Sequence, residues 1–168
     1  TYVPDYIFDD AANALMTDVA EVAVSNDFNC VRKNSGNVLC WGNDVNGQVG
    51  DGASASSSQA GEGQETGITT ATSIATGQSH ACAVLSGGTV KCWGNNASGQ
   101  LGTGDNVSAT SPVSVSGITN AASIYAGANH TCALLTTGAV KCWGDDTAGQ
   151  LGDDASIANK NAPVAVSL

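Results

Sequence analysis

The tripeptide Cys-Trp-Gly occurs three times in this chain, at Cys40-Trp41-Gly42, Cys92-Trp93-Gly94 and Cys142-Trp143-Gly144, in steps of 52 and 50 residues. Each copy has a second cysteine ten positions upstream: Cys30, Cys82 and Cys132. Each is followed by Gly-Gln-x-Gly, at Gly47-Gln48-Val49-Gly50, Gly99-Gln100-Leu101-Gly102 and Gly149-Gln150-Leu151-Gly152. A fixed period of about fifty residues is the signature of a repeat architecture. One unit of that size cannot close a core by itself, so its faces need neighbours.

The paired cysteines bracket turn signals: Asn34-Ser35-Gly36-Asn37, Ser86-Gly87-Gly88 and Thr136-Thr137-Gly138. β-formers flank them, as in Ala83-Val84-Leu85 before the second turn and Thr89-Val90 after it. That is a β-hairpin pattern. Folding the hairpin about its turn sets the two cysteines opposite one another, ~5 Å apart and within bridging reach. The spacing therefore predicts disulfides Cys30–Cys40, Cys82–Cys92 and Cys132–Cys142. A zinc site would show closer cysteine pairs, two to four residues apart. Disulfides persist in oxidising compartments, which points to an extracellular or cell-surface location.

The third repeat reads as four short strands: Pro112 to Val115, Ala122 to Ala126, Thr131 to Leu135 and Ala139 to Trp143. Cys132 and Leu134 share one face, Ala133 and Leu135 the other, and both faces are apolar. A sheet apolar on both sides is covered on both sides, as in the stacked four-stranded blades of a propeller. Trp41, Trp93 and Trp143 are expected between blades, each indole N–H reaching a carbonyl. His80 and His130 occupy equivalent positions two residues before a cysteine, which predicts a structural hydrogen bond rather than catalysis. Phe28 takes that position in the first repeat. Gln48, Gln100 and Gln150 belong to the repeat framework.

The full pattern, G-x-x-H-x-C-A-L-L-x-x-G-x-V-x-C-W-G-x-x-x-x-G-Q-L-G, is carried from Gly127 to Leu151 and, with Val84 at the first Leu, from Gly77 to Leu101. It resembles the regulator of chromosome condensation repeat family. The first repeat is degenerate, with Ser25, Phe28 and Val49 in place of Gly, His and Leu. The resemblance covers about residues 14 to 168. It implies an all-β, β-propeller-type fold of four-stranded antiparallel blades, here three repeats. The cysteine pairs resemble the secreted bacterial branch of the family, some members of which inhibit enzymes through propeller loops. The family's eukaryotic founder activates a small GTPase and docks on chromatin. That role is not expected here, because its chromatin contacts want basic surface.

The formal charge is −10, and the five basic residues, Arg32, Lys33, Lys91, Lys141 and Lys160, are scattered. Nucleic acid needs clustered Lys/Arg to displace counterions, so no nucleic-acid partner is expected. No apolar run approaches the ~18 residues of a membrane span, so no membrane insertion is expected. There is no nucleophile elbow, P-loop, His-Glu-x-x-His or kinase signature, and the chain reads as non-catalytic and without a cofactor. The acidic doublets Asp9-Asp10, Asp145-Asp146 and Asp153-Asp154 lack the spacing of a calcium loop and read as solvated carboxylates. No metal site is predicted. Asn96 and Asn106 lie in sequons within loops and are the candidates for glycosylation; Asn129 matches incidentally, inside the repeat signature.

The expected organisation is an N-terminal aromatic extension at 1–13 and repeats at 14–61, 62–111 and 112–161. The first repeat carries a Ser/Gly-rich loop within 51–67. Residues 162–168 repeat the opening strand of a repeat and read as the start of an unfinished fourth. The chain opens on Thr1, which reads as a processed mature protein or a piece of a longer one. Three blades are fewer than the roughly 4–8 that close a propeller. The end sheets therefore need cover, from more chain or from further copies. The extension holds Tyr2, Val3, Tyr6, Ile7 and Phe8, three of the chain's eight aromatics. It either anchors against another subunit or packs back on its own first blade. With Pro163, Val164 and Val166 it makes the candidate assembly interface. The function expected is a non-catalytic extracellular structural module, a homo-oligomer or filament built by head-to-tail blade completion. The alternative is a secreted protein-binding or inhibitory propeller module, a fragment of a longer propeller acting through its loops.

Overall fold

The computed structural model of the protein describes residues 8–9, 14–54, 59–154 and 157–167. Among these, all regular structure is strand. In chain order the strands are β1 (Phe8–Asp9), β2 (Ala14–Leu15), β3 (Val19–Val24), β4 (Phe28–Lys33), β5 (Val38–Gly42), β6 (Gln59–Glu65), β7 (Ala71–Thr76), β8 (His80–Leu85), β9 (Val90–Gly94), β10 (Ala109–Ser114), β11 (Ala121–Ala126), β12 (His130–Leu135), β13 (Val140–Gly144) and β14 (Lys160–Ala165). They form three antiparallel four-stranded sheets, β3–β6, β7–β10 and β11–β14, the first widened by β1 and β2 at its outer edge. These are the propeller blades that the repeat implied.

The central hairpin of each blade follows from its sequence. In the second, Gly88 takes φ 79° and donates its amide to Leu85 O at 2.7 Å. A residue with a Cβ resists that backbone conformation. The hairpin then sets Cys82 opposite Cys92, and the equivalent registers set Cys30 opposite Cys40 and Cys132 opposite Cys142. All three pairs are disulfide-bonded, with Cα–Cα distances of 4.1, 4.0 and 4.1 Å in chain order. Each inner ladder slips register at the same place, between Val19 and Glu21, Ala71 and Ser73, and Ala121 and Ser123. Such a bulge sharpens the local twist of a strand.

The inner strands β3, β7 and β11 lie side by side, with β7 in the middle. Between blades one and two lies a core of Phe28, Cys30, Val38, Cys40, Ile74, Ala81, Ala83 and Trp93. Between blades two and three lies its counterpart of Cys82, Val84, Val90, Cys92, Ile124, Ala133, Leu135 and Trp143. The small side chains Ala81, Ala83 and Ala133 let the sheets approach closely. Each disulfide sits on the face that its blade turns toward the following one.

Two boundaries differ from the expected ones. The strand at 109–114 pairs with β9 and closes blade two, although its sequence reads as the opening of repeat three. Likewise β14 pairs with β13, so the segment expected to begin a fourth repeat completes the third blade. Within the Ser/Gly-rich stretch, residues 59–65 form β6, the outer strand of blade one, rather than loop. Alternation of side chains reports which face a residue takes; it does not report which ladder a strand joins.

Candidate functional site

The loop after each Cys-Trp-Gly is built three times on one plan. The second residue past the glycine is a buried Asp or Asn whose side-chain oxygen holds a backbone amide five residues on. Asp44 Oδ1 accepts from Val49 N at 3.0 Å, Asn96 Oδ1 from Leu101 N at 2.9 Å, and Asp146 Oδ1 from Leu151 N at 2.9 Å. The glutamine closes the loop from the other side. Gln48, Gln100 and Gln150 accept through Oε1 from Asn46 N, Ser98 N and Ala148 N, at 2.9, 2.9 and 2.8 Å. Sequence reasoning missed the buried Asp/Asn, although the signal was present: it recurs four residues after the second cysteine of every repeat.

This loop aims the glutamine carbonyl at the next blade. Trp93 Nε1 donates to Gln48 O at 3.0 Å, and Trp143 Nε1 donates to Gln100 O at 2.8 Å. Both tryptophans are fully buried. At the axial end of the second junction, His80 Nε2 lies 2.9 Å from Thr131 Oγ1. Thr131 donates its own hydrogen to Gln100 O at 3.0 Å, so its oxygen accepts from the imidazole. His80 therefore carries its proton on Nε2, and the buried Nδ1 has no hydrogen-bond partner. Burial, with the nearby His130 adding, pushes the His80 pKa down to about 4. At the first junction Phe28 and Ala81 occupy these positions, and both are buried.

Among the described residues, the two outward faces carry the same elements with no further blade packed on them. Trp41 is partly exposed and finds no carbonyl acceptor among the described residues. Val22 is 58% exposed, whereas its counterparts Ile74 and Ile124 are buried. On the far side of blade three, Tyr125 is 60% exposed, and His130, Cys132, Leu134 and Val164 are partly exposed. A Cβ on Gly36 or Gly88 would meet backbone of the following blade at 2.7 or 2.8 Å, and the equivalent Gly138 has nothing within 4 Å. Gly47 and Gly99 press on Thr110 and Asn161, and Gly149 again faces open space. The outer half of the first blade's open face is different. Val31 and Leu39 are buried there, with the Met16 side chain over Gly63 beside Leu39. Lys91 and Lys141 stand at the Leu39 position in the other blades.

Models of the regulator of chromosome condensation (RCC1) repeat match residues 19–48, 71–100 and 121–150, and a second one matches 87–134. The chain belongs to the RCC1 repeat family. Among solved RCC1-type structures, Prp20p from Saccharomyces cerevisiae, described with its binding to Gsp1p and histones, superposes with TM-score 0.79 at 16% identity over 90% of this chain and 39% of its own. The same yeast RCC1 bound to Kap60 gives TM-score 0.79 at 16% identity, over 90% and 37%. Human WBSCR16 gives TM-score 0.79 at 23% identity, over 96% and 42%. At these identities the likeness is one of fold. The chain spans about two fifths of the length of these structures.

The RCC1 repeats also place the remaining candidate residues. Asn96 is fully buried, its Nδ2 donating to Asp105 O and Val107 O at 3.0 and 3.1 Å. A glycan on that nitrogen is incompatible with the folded blade, which removes Asn96 as an acceptor site. Asn106 is exposed, and its Nδ2 bonds Ala97 O at 3.0 Å. Of the doublets, Asp145 Oδ1 accepts from Thr147 N at 3.1 Å and Asp153 pairs with Lys160 at 3.3 Å, while the side chains of Asp9-Asp10 lie outside the described residues. Tyr2, Val3, Tyr6 and Ile7 lie outside the described residues. The backbone of Phe8 pairs with Glu62 of its own first blade. Pro163 lies in the edge strand β14, as Pro112 does in β10. A proline there opposes strand addition, because it offers no N–H to an incoming chain.

Proposed function

We propose that the protein is a non-catalytic extracellular module that works by self-assembly. The third blade of one copy packs on the first blade of the next, as blades two and three pack within one chain. The observation that carries this reading is the unmatched pair Trp41 and Gln150. Trp93 and Trp143 each donate to the glutamine carbonyl of the preceding blade. Among the described residues Trp41 is the donor without such a carbonyl, and Gln150 O holds the acceptor position without a tryptophan against it. The contact joins unlike faces and repeats from copy to copy, giving a ring where the rotation closes and an open filament where it does not. Val164 and the Cys132–Cys142 disulfide lie within the covered area. Three disulfides fit the oxidising setting.

Native mass measurement across the micromolar range tests it. Multiples of the chain mass that grow with concentration are expected, with Trp41→Ala shifted to the monomer. A wild-type chain that stays monomeric throughout overturns the proposal.

A second reading is a protein-binding module acting through the loops after Gly50, Gly102 and Gly152. It is favoured by the yeast relative, whose solved structures are described with protein partners. Capture of one defined protein by the monomer, abolished by changes in these loops, would establish it.

A further inference from the structure

At both internal junctions the position that holds Phe28 and His80 meets the position that holds Ala81 and Thr131 in the following blade, and His130 and Asn29 hold the same two positions on the outward faces. Register within each blade makes the positions equivalent: Phe28, His80 and His130 oppose Gly42, Gly94 and Gly144, while Asn29, Ala81 and Thr131 oppose Trp41, Trp93 and Trp143. At the first junction the pair is Phe28 with Ala81, both apolar. At the second it is His80 with Thr131, donor to acceptor at 2.9 Å. Each junction is matched in polarity. The two residues left over are His130 on the last blade and Asn29 on the first, both partly exposed.

Resting on the self-assembly just proposed, we infer that His130 and Asn29 form the specificity pair of the contact between copies, the Asn29 side-chain oxygen accepting from His130 Nε2–H. The partner of this surface is then a second copy of this chain. Three physical points support the pairing. An imidazole buried against an apolar side chain leaves a donor unsatisfied, which is a heavy penalty at an interface. Asparagine supplies the acceptor that Thr131 supplies internally. An apolar residue at 130 or an alanine at 29 would have sufficed for an internal junction like the first. The polar choice at both ends rejects mismatched faces, which is how an interface gains specificity.

The test is a four-way comparison of dissociation constants for self-association. It uses the wild-type chain, Asn29→Ala, His130→Phe and the double variant, by sedimentation at one pH and salt. Each single variant is expected to weaken assembly at least tenfold. The double variant, which recreates the Phe28–Ala81 type of junction, is expected to recover to within about threefold of wild type. Thermal melts check that the monomers fold, which the exchanged residue types already do at 28 and 81. Single variants that assemble like the wild type, or a double variant no better than the worse single one, overturn the pair and leave self-assembly standing. A wild-type chain that stays monomeric overturns both.

Discussion

His80 reaches across the junction between the second and third blades to Thr131, its Nε2 2.9 Å from the hydroxyl oxygen. The interaction needs a neutral imidazole, because the second ring nitrogen is buried without a partner. Burial first, and His130 second, hold the His80 pKa down at about 4. A histidine with a lowered folded pKa contributes stability that is present above its unfolded value near 6.5. That stability is lost as pH falls from there toward 4. The wild-type chain should lose up to about 3 kcal/mol over this range from His80 alone. The double change His80→Phe with Thr131→Ala copies the first junction and should remove that part of the acid sensitivity. Denaturant titrations at pH 7 and pH 4 compare the two; equal losses would sink the assignment.

Trp143 should be a keystone of the chain's stability and Trp41 should not. Trp143→Ala empties a fully buried site and is expected to cost about 3–5 kcal/mol in urea unfolding. Trp143→Phe keeps most of the volume but removes the donor to Gln100 O, a loss of about 1 kcal/mol. Trp41→Ala is expected to change monomer stability far less, because the ring is already partly in water.

Gly77 and Gly87 should answer an alanine in opposite ways. A Cβ at Gly77 would sit 2.2 Å from the His80 ring, so Gly77→Ala is expected to cost at least about 1–3 kcal/mol. Gly87 has nothing within 4 Å and no positive φ, so Gly87→Ala should be neutral or stabilise by up to about 1 kcal/mol. Thermal melts of the two variants decide it.

In the dilute monomer, where the third blade's outer face is open, mild reductant followed by alkylation and peptide mapping should open Cys132–Cys142 first. Cys132 is partly exposed on the open face, whereas Cys82 and Cys92 are sealed beneath the third blade. Each bridge closes a ten-residue separation, and its loss should cost roughly 2–3 kcal/mol. Labelling at Cys82 or Cys92 ahead of Cys132 would contradict this order.

Self-association should strengthen with added salt. Each copy carries a formal charge of −10, so copies repel at long range. Screening shortens that repulsion, and the apolar contact is left to act. Light scattering at low and moderate ionic strength reads the trend; assembly that weakens with salt would point to a contact between opposite charges.

Much of the fold was legible because its devices repeat. Three Cys-Trp-Gly copies at nearly equal steps reveal the blade, and the C-x9-C spacing reveals the hairpin and its bridge. The phase of the blade was not legible. Pro112-Val113-Ser114-Val115 alternates as a short strand and reads as the opening of the third repeat, yet Val113 pairs with Cys92 upstream. Hydrogen-bond partners are long-range facts that alternation does not encode. The buried Asp44, Asn96 and Asp146 were hidden for a related reason. Acidic and amide residues in a Gly-rich loop look solvated, and only the backbone amides turned toward them reveal a clamp. The polarity match between His80 and Thr131 needed the blades stacked, since the two residues are far apart in sequence.

Every sheet is made from consecutive strands, so no strand-to-strand ladder of the three blades crosses the linkers at 66–70 and 115–120. A duplication or deletion in the gene with breakpoints in those linkers adds or removes an intact sheet together with its own bridge. Such an event keeps each surviving ladder intact, and at the new seam the facing pair meets alongside the indole–carbonyl bond and the glycine contacts that recur at both internal junctions. Chain length in such an architecture can therefore drift by whole blades, with the polarity of the facing pair as one constraint on each new seam.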